Sequence, residues 1–215
     1  MFKSLLLSLP LLALCLAPAS VRAADAQAPR AQARQGDFHA LVEDITQRAI
    51  AGQPELRSML GLTGGEAGDL SDRLDDVSLP RRDALRAQYR GYLAEVEAWD
   101  RNALSGQERW THDMVRWYFQ TQLDLMSFDW SPAWLPTAGG VYAVDQLFGI
   151  PGQLPQFMEN HHPVADVEDA EHFVARLIAI EAKLDQVRAN FDMQAGQGVV
   201  PPEVALSGAA EQIRA

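Results

Sequence analysis

Beyond its first 23 residues the chain has no cysteine: the single one is Cys15. That excludes a disulfide framework, a thiol nucleophile and a thiolate metal site from everything downstream. An excess of positive charge is also missing. With 18 Lys and Arg against 29 Asp and Glu the net charge is −11, which argues against nucleic acid or an anionic membrane surface as a partner. There is no confident strand pattern, no internal repeat, no serine elbow and no Gly spacing of a phosphate-binding loop.

The N-terminus reads as a secretory signal peptide. "MFK" is a short basic start, Ser4 to Pro18 is dominated by Leu, and Val21 and Ala23 stand ahead of Ala24. The run is too short and wrongly flanked for a membrane span. Cleavage is expected between Ala23 and Ala24, giving a periplasmic or secreted protein with no membrane association afterwards. A lipid anchor on Cys15 is the competing reading, disfavoured by the bulky Leu14 before it. Cleavage removes Lys3 and Arg22 and no acid, so the charge moves from −11 to −13.

Residues 24–36, "ADAQAPRAQARQG", carry no large apolar side chain and read as a flexible leader. Residues 37–215 then form a helical domain, expected to be incomplete at its C-terminal end. Phe38, Leu41, Val42, Ile45 and Ala49 recur at helical spacing up to Gly52, and a short helix is expected from Pro54 to Leu60. A polar Gly- and Asp-rich stretch leads to Pro80, suited to a first helical turn. Leu85, Tyr89, Tyr92, Val96 and Trp99 mark the next stripe. Ser105 and Glu108 have the spacing of a capping box, opening a helix apolar on more than one face and therefore central. Its Trp110 and Trp117, seven apart, are expected as core anchors. From about 127 to 165, Pro and Gly break the chain into short helices within a long irregular connection. The last long helix starts at the N-cap Asp166 and shows Phe173, Leu177, Ile180, Leu184, Val187 and Phe191, with Gly196 and Gly198 ending it. A further helix follows "VVPPEV". The fold class is all-α, a multi-helix array.

Three of five histidines lie in "NHHPVADVEDAEHF", Asn160 to Phe173. His, Asp and Glu together suggest a metal site, but the spacing does not. A helical zinc pair needs two His one turn apart, commonly HExxH, whereas "HHPVA", "HPVAD", "HFVAR" and "HDMVR" all lack it. Asp166, Glu168, Asp169 and Glu171 are accounted for by helix initiation. His161, His162 and His172 are therefore expected to be structural or solvated, and His112 to lie capped or paired near the surface. Asp75 and Asp76 read as solvated turn residues. No catalytic, metal or cofactor residue is assigned.

The runs "DRLDDVSLPRRDA", "YAVDQLFGIPGQLPQFMENHHPVADVEDAEHFVARL" and "LDQVRANFDMQAGQGVVPPEV" resemble the bacterial domain-of-unknown-function 885 family, from roughly Asp37 onward. The resemblance implies the N-terminal part of a larger, exported, helical zincin-like fold related to zinc peptidases of the HExxH type. In such proteins the metal ligands and catalytic glutamate lie on helices downstream of the matched region. Zinc is thus expected only in a longer, complete family member, a peptide substrate only where that catalytic part is present, and no activity from this chain alone. The competing reading is a free-standing periplasmic binding module using the Trp-rich region 110–134.

N-terminal sequencing of the exported protein is expected to read Ala-Asp-Ala-Gln from Ala24. A mature chain retaining residues 1–23, or one starting at a lipidated Cys15, would contradict the cleavage assignment.

Overall fold

The structure is a computed structural model that describes residues 29–62, 68–128, 142–145 and 149–214, with side chains from residue 38 onward. The expected signal peptide, most of the stretch expected to be irregular after Phe128, and Trp130 and Trp134 lie outside those residues. Seven α-helices and one short 3-10 turn are present among the described residues, with no strand, so the all-α expectation holds. The helices are α1 (Pro29–Ala51), α2 (Pro54–Met59), α3 (Leu79–Glu97), α4 (Gly106–Met126), α5 (Ile150–Asn160), α6 (Val167–Gly196) and α7 (Glu203–Arg214).

The helix ends follow local chemistry. Ser78 accepts from the Arg81 amide to open α3, with Pro80 in its first turn. At α4, Ser105 and Glu108 form the reciprocal capping box, with the Glu108 carboxylate taking the Ser105 amide at 2.9 Å. Asp166 accepts from the Asp169 amide at 3.0 Å and opens α6. Gly198, at φ 78°, adopts the left-handed conformation that ends it, and the Val199 amide reaches back to the Gln194 carbonyl. One boundary differs from expectation. α1 begins at Pro29 and takes in residues 29–36 of the stretch read as a leader. Ala, Arg and Gln are good helix formers even without an apolar face to bury.

The core lies where α3 and α4 pack antiparallel and α5 and α6 close over them. Leu85, Tyr89, Tyr92 and Val96 of α3 are buried as their spacing predicts. Phe119 of α4 sits between Tyr89 and Tyr92, with ring centroids 5.3 Å from each. Ile150, Leu154 and Phe157 of α5, Val187 of α6 and Ile45 of α1 complete the cluster. Each such side chain stabilises by about 1.5–3 kcal/mol when fully buried. A smaller cluster of Phe38, Val42 and Leu104 takes Trp99 against Phe38, edge-on at 5.2 Å.

Two stripes are arranged differently from their sequence reading. Trp110 and Trp117 are 69% and 58% exposed, not core anchors. α4 carries a second set at the same seven-residue spacing, His112, Phe119 and Met126, and that set is buried. His112 is accordingly an interior residue rather than one near the surface, tilted against the Phe38 ring at 6.0 Å. On α6, Leu177 and Leu184 of the apolar stripe are exposed, while Phe173, Ile180 and Phe191 are half-buried and Val187 is buried. The innermost face of α6 is instead Arg176, Lys183, Asn190 and Gln194, with Val187.

Candidate functional site

A buried polar face on a long helix needs partners, because an unpaired polar group out of water costs about 1–3 kcal/mol. The partner here is mostly backbone. Residues 68–78 run between α2 and α3 without regular structure, so their amide and carbonyl groups have no ladder to join. α6 lies alongside and supplies the bonds from its side chains. The Arg176 guanidinium donates to the carbonyls of Arg73 at 2.8 Å and Leu70 at 3.4 Å. Lys183 donates to the Asp75 carbonyl at 3.3 Å. The Val77 amide donates to Gln186 at 2.8 Å, and Asn190 donates to the Val77 carbonyl at 2.7 Å. One turn further on, Gln194 accepts the Ala143 amide at 2.8 Å.

The segment turns at Ser71 and Asp72, where the Arg73 amide donates to the Leu70 carbonyl at 3.1 Å, so one guanidinium reaches both carbonyls. Beyond the turn, the backbone of Asp75 and Val77 meets Lys183, Gln186 and Asn190 in succession along α6.

Charge is concentrated at two points. At the first, the Lys183 ammonium pairs with Glu55 at the start of α2, both only 3% exposed. Glu55 and Asp75 hold each other reciprocally: the Glu55 amide donates to the Asp75 carboxylate at 3.0 Å, and the Asp75 amide donates to the Glu55 carboxylate at 2.9 Å. Lys183 is the one lysine in residues 24–215, against 15 arginines. At the second point Arg176, fully buried, also donates to Ser58 Oγ at 2.7 Å and lies over the Phe157 ring at 5.0 Å. Its Nη1 is 2.7 Å from His162 Nδ1. Because guanidinium only donates, Nδ1 must be the accepting nitrogen. His162 Nε2 then carries the proton and donates to the Asp169 carbonyl at 3.0 Å. His162 is thus a neutral strut between α6 and the α5–α6 turn.

The carboxyl of Asp75 is pushed up to about 7, first by burial and then by the neighbouring Glu55, against the opposing pull of Lys183. Its Oδ2 is buried with no hydrogen-bond partner among the described residues. Burial holds the charged form of Arg176 below its ordinary range, with Glu55 and Asp75 pulling it back. Beside the Lys183–Glu55 pair lies a cavity of about 20 Å³, lined also by Ile150, Gln153, Leu154 and Phe157. It has room for a water molecule, not for a substrate, which needs several hundred Å³.

The residues weighed from sequence are scattered. His161 is exposed and stacks on Phe157 at 6.3 Å, closing α5. His162 is buried in the Arg176 contact, and His172 is half-buried on α6. Among the described residues no three His, Cys, Asp or Glu side chains converge to hold a metal ion. Asp76 is exposed and caps the Ser78 amide at 2.9 Å, as a turn residue should. Asp75, read as its solvated twin, is interior. The only marks of the node in the sequence are the seven-residue repeat of Arg176, Lys183 and Asn190, which Leu177, Leu184 and Phe191 share one residue on, and one isolated lysine in an arginine-rich chain.

The model of a bacterial family of unknown function, DUF885, matches residues 54–215, and the chain belongs to that family. A crystal structure of a candidate lipoprotein from Colwellia psychrerythraea has the same fold, with a TM-score of 0.70 at 17% identity. The match covers 82% of this chain and 30% of that one. No curated protein matches. Among the described residues no helix is long and apolar enough to cross a membrane.

The raised Asp75 pKa has a definite linkage sign. Folded protein holds a proton on Asp75 up to about pH 7, whereas an unfolded chain releases it near 3.9. Between those values the folded state binds more protons, so this contribution to stability falls as pH rises. Asp75→Asn keeps an acceptor for the Glu55 amide and removes the titration. Urea unfolding from pH 4 to 8 is expected to show a flatter pH dependence in that variant; equal slopes for the two proteins would refute the assignment.

Proposed function

We propose that this chain is the N-terminal helical portion of an exported, metallopeptidase-like member of the DUF885 family. It serves as scaffold and as one wall of a substrate channel, and does not supply the reacting groups. The observation that carries the reading is the use made of its polar residues. The buried Lys183, Arg176, Glu55, Asp75 and His162 are engaged with one another and with backbone, and the space beside them admits only water. Such a node fixes a fold and has no reach to a substrate. The 30% coverage of the longer relative fits a supporting part within a larger helical protein. That relative's description as a lipoprotein and the N-terminal Leu-rich run together support export.

The second reading, a periplasmic binding module, is favoured by one observation. Trp110 and Trp117 share an outward face of α4, where rings could stack on an apolar or sugar ligand.

Under the first reading the purified chain from Ala24 to Ala215 hydrolyses no peptide and takes up no stoichiometric zinc. Isothermal calorimetry with zinc chloride, together with elemental analysis, is expected to give well under one ion per chain. One tightly bound zinc, lost on changing His161 and His162 to Ala, would overturn it.

A further inference from the structure

α6 is oriented against its own apolar side chains. Successive residues turn about 100° around a helix, so Val174 and Ile178 lie on the face opposite Arg176, Lys183, Asn190 and Gln194, and Leu177 and Leu184 lie about 100° round from that polar face. Those four apolar residues are, in that order, 54%, 74%, 47% and 37% exposed. The helix cannot rotate to cover them. Turning Leu177 and Leu184 inward would carry Lys183 away from Glu55 and Asn190 away from Val77, leaving buried carboxylate and backbone groups unpaired. The outward apolar face is therefore enforced by the polar node. A helix apolar on one side and anchored on the other belongs inside a larger assembly.

We propose that this outward face of α6 is a docking surface for an amphipathic helix bearing Lys or Arg on its flanks, contributed by the remainder of a longer family fold. The proposal rests on the reading of the chain as one part of such a fold. Two observations select this occupant. First, the apolar residues are flanked and interrupted by exposed Glu171, Glu181 and Asp185, and the one nearby base, Arg188, faces Asp185 at 3.8 Å. Acidic side chains on this face favour a partner carrying Lys or Arg. They disfavour a second copy, since a twofold contact would bring like charges together in a chain already at net −11. Second, the relative of the same fold has more than two-thirds of its length beyond the matched part, so a longer protein of this fold has further chain to pack there.

The test uses the purified chain from Ala24 to Ala215 and two designed amphipathic 18-residue peptides, one Leu-striped with Lys flanks and one with Glu flanks. Fluorescence anisotropy is expected to show the Lys-flanked peptide binding at least tenfold tighter than its Glu-flanked counterpart. Its affinity should fall at least tenfold in Leu177→Gln/Ile178→Gln. Val174→Gln/Leu184→Gln serves as the second variant, and helical circular dichroism must be retained in both. Binding that is unchanged in both variants, or equal for the two peptides, overturns the proposal. So does a wild-type dimer, by sedimentation equilibrium, that the substitutions dissociate, because the occupant is then a second copy. Peptidase activity or zinc uptake by the chain alone would instead defeat the scaffold reading without altering these affinities.

Discussion

The structure depends on how the backbone of residues 68–78 is satisfied. Where a chain without helix or strand dips inward, as at Asp75 and Val77, its amides and carbonyls must still be paired, and here side chains of α6 do so from Arg176 to Asn190. The segment passes between α2 and α3, so fixing it fixes the position of both relative to α6. Val77 is carried into the main core as a result, and Glu55 at the first turn of α2 meets Lys183. Fold and node are thus one object. The charged pair closes the same seam that the amide side chains hold open to backbone.

From that constraint the exposed apolar surfaces follow. α6 has one rotation compatible with its bonds, and in it Leu177 and Ile178 face outward. α4 shows a related pattern: its inner set, His112, Phe119 and Met126, packs on α1 and α3, leaving Trp110 and Trp117 on the far side. Two central helices therefore each present apolar surface away from the core. The chain spans 30% of the longer protein that shares its fold.

Much of the fold was legible in the sequence because it is set by local chemistry. Pro80 in the first turn of α3, the caps at Ser105 and Asp166, the stop at Gly198 and the Leu85–Tyr89–Tyr92–Val96 stripe all hold. The node was not legible, for a physical reason. On α6 the apolar Leu177, Leu184 and Phe191 and the polar Arg176, Lys183 and Asn190 have identical periodicity, one residue apart. Hydrophobic burial alone selects the first set. The choice of the second is made by residues about 100 positions away, whose backbone needs donors, and periodicity carries no trace of that demand. Asp75 and Asp76 make the same point: two adjacent acids in one turn, with only the first directed at Glu55.

If the buried Lys183–Glu55 contact holds the seam between α6 and α2, the two residues are energetically coupled, and a double-mutant cycle reads that coupling. Lys183→Met and Glu55→Gln are to be measured singly and together by urea unfolding. Breaking a buried pair by removing one partner costs about 3–5 kcal/mol. Each single change is expected to be destabilising on that scale. The double variant should be more stable than the sum implies by at least about 2 kcal/mol, since neither partner is then left buried alone. Additivity to within about 0.5 kcal/mol would show that the two groups do not depend on one another and would contradict the account.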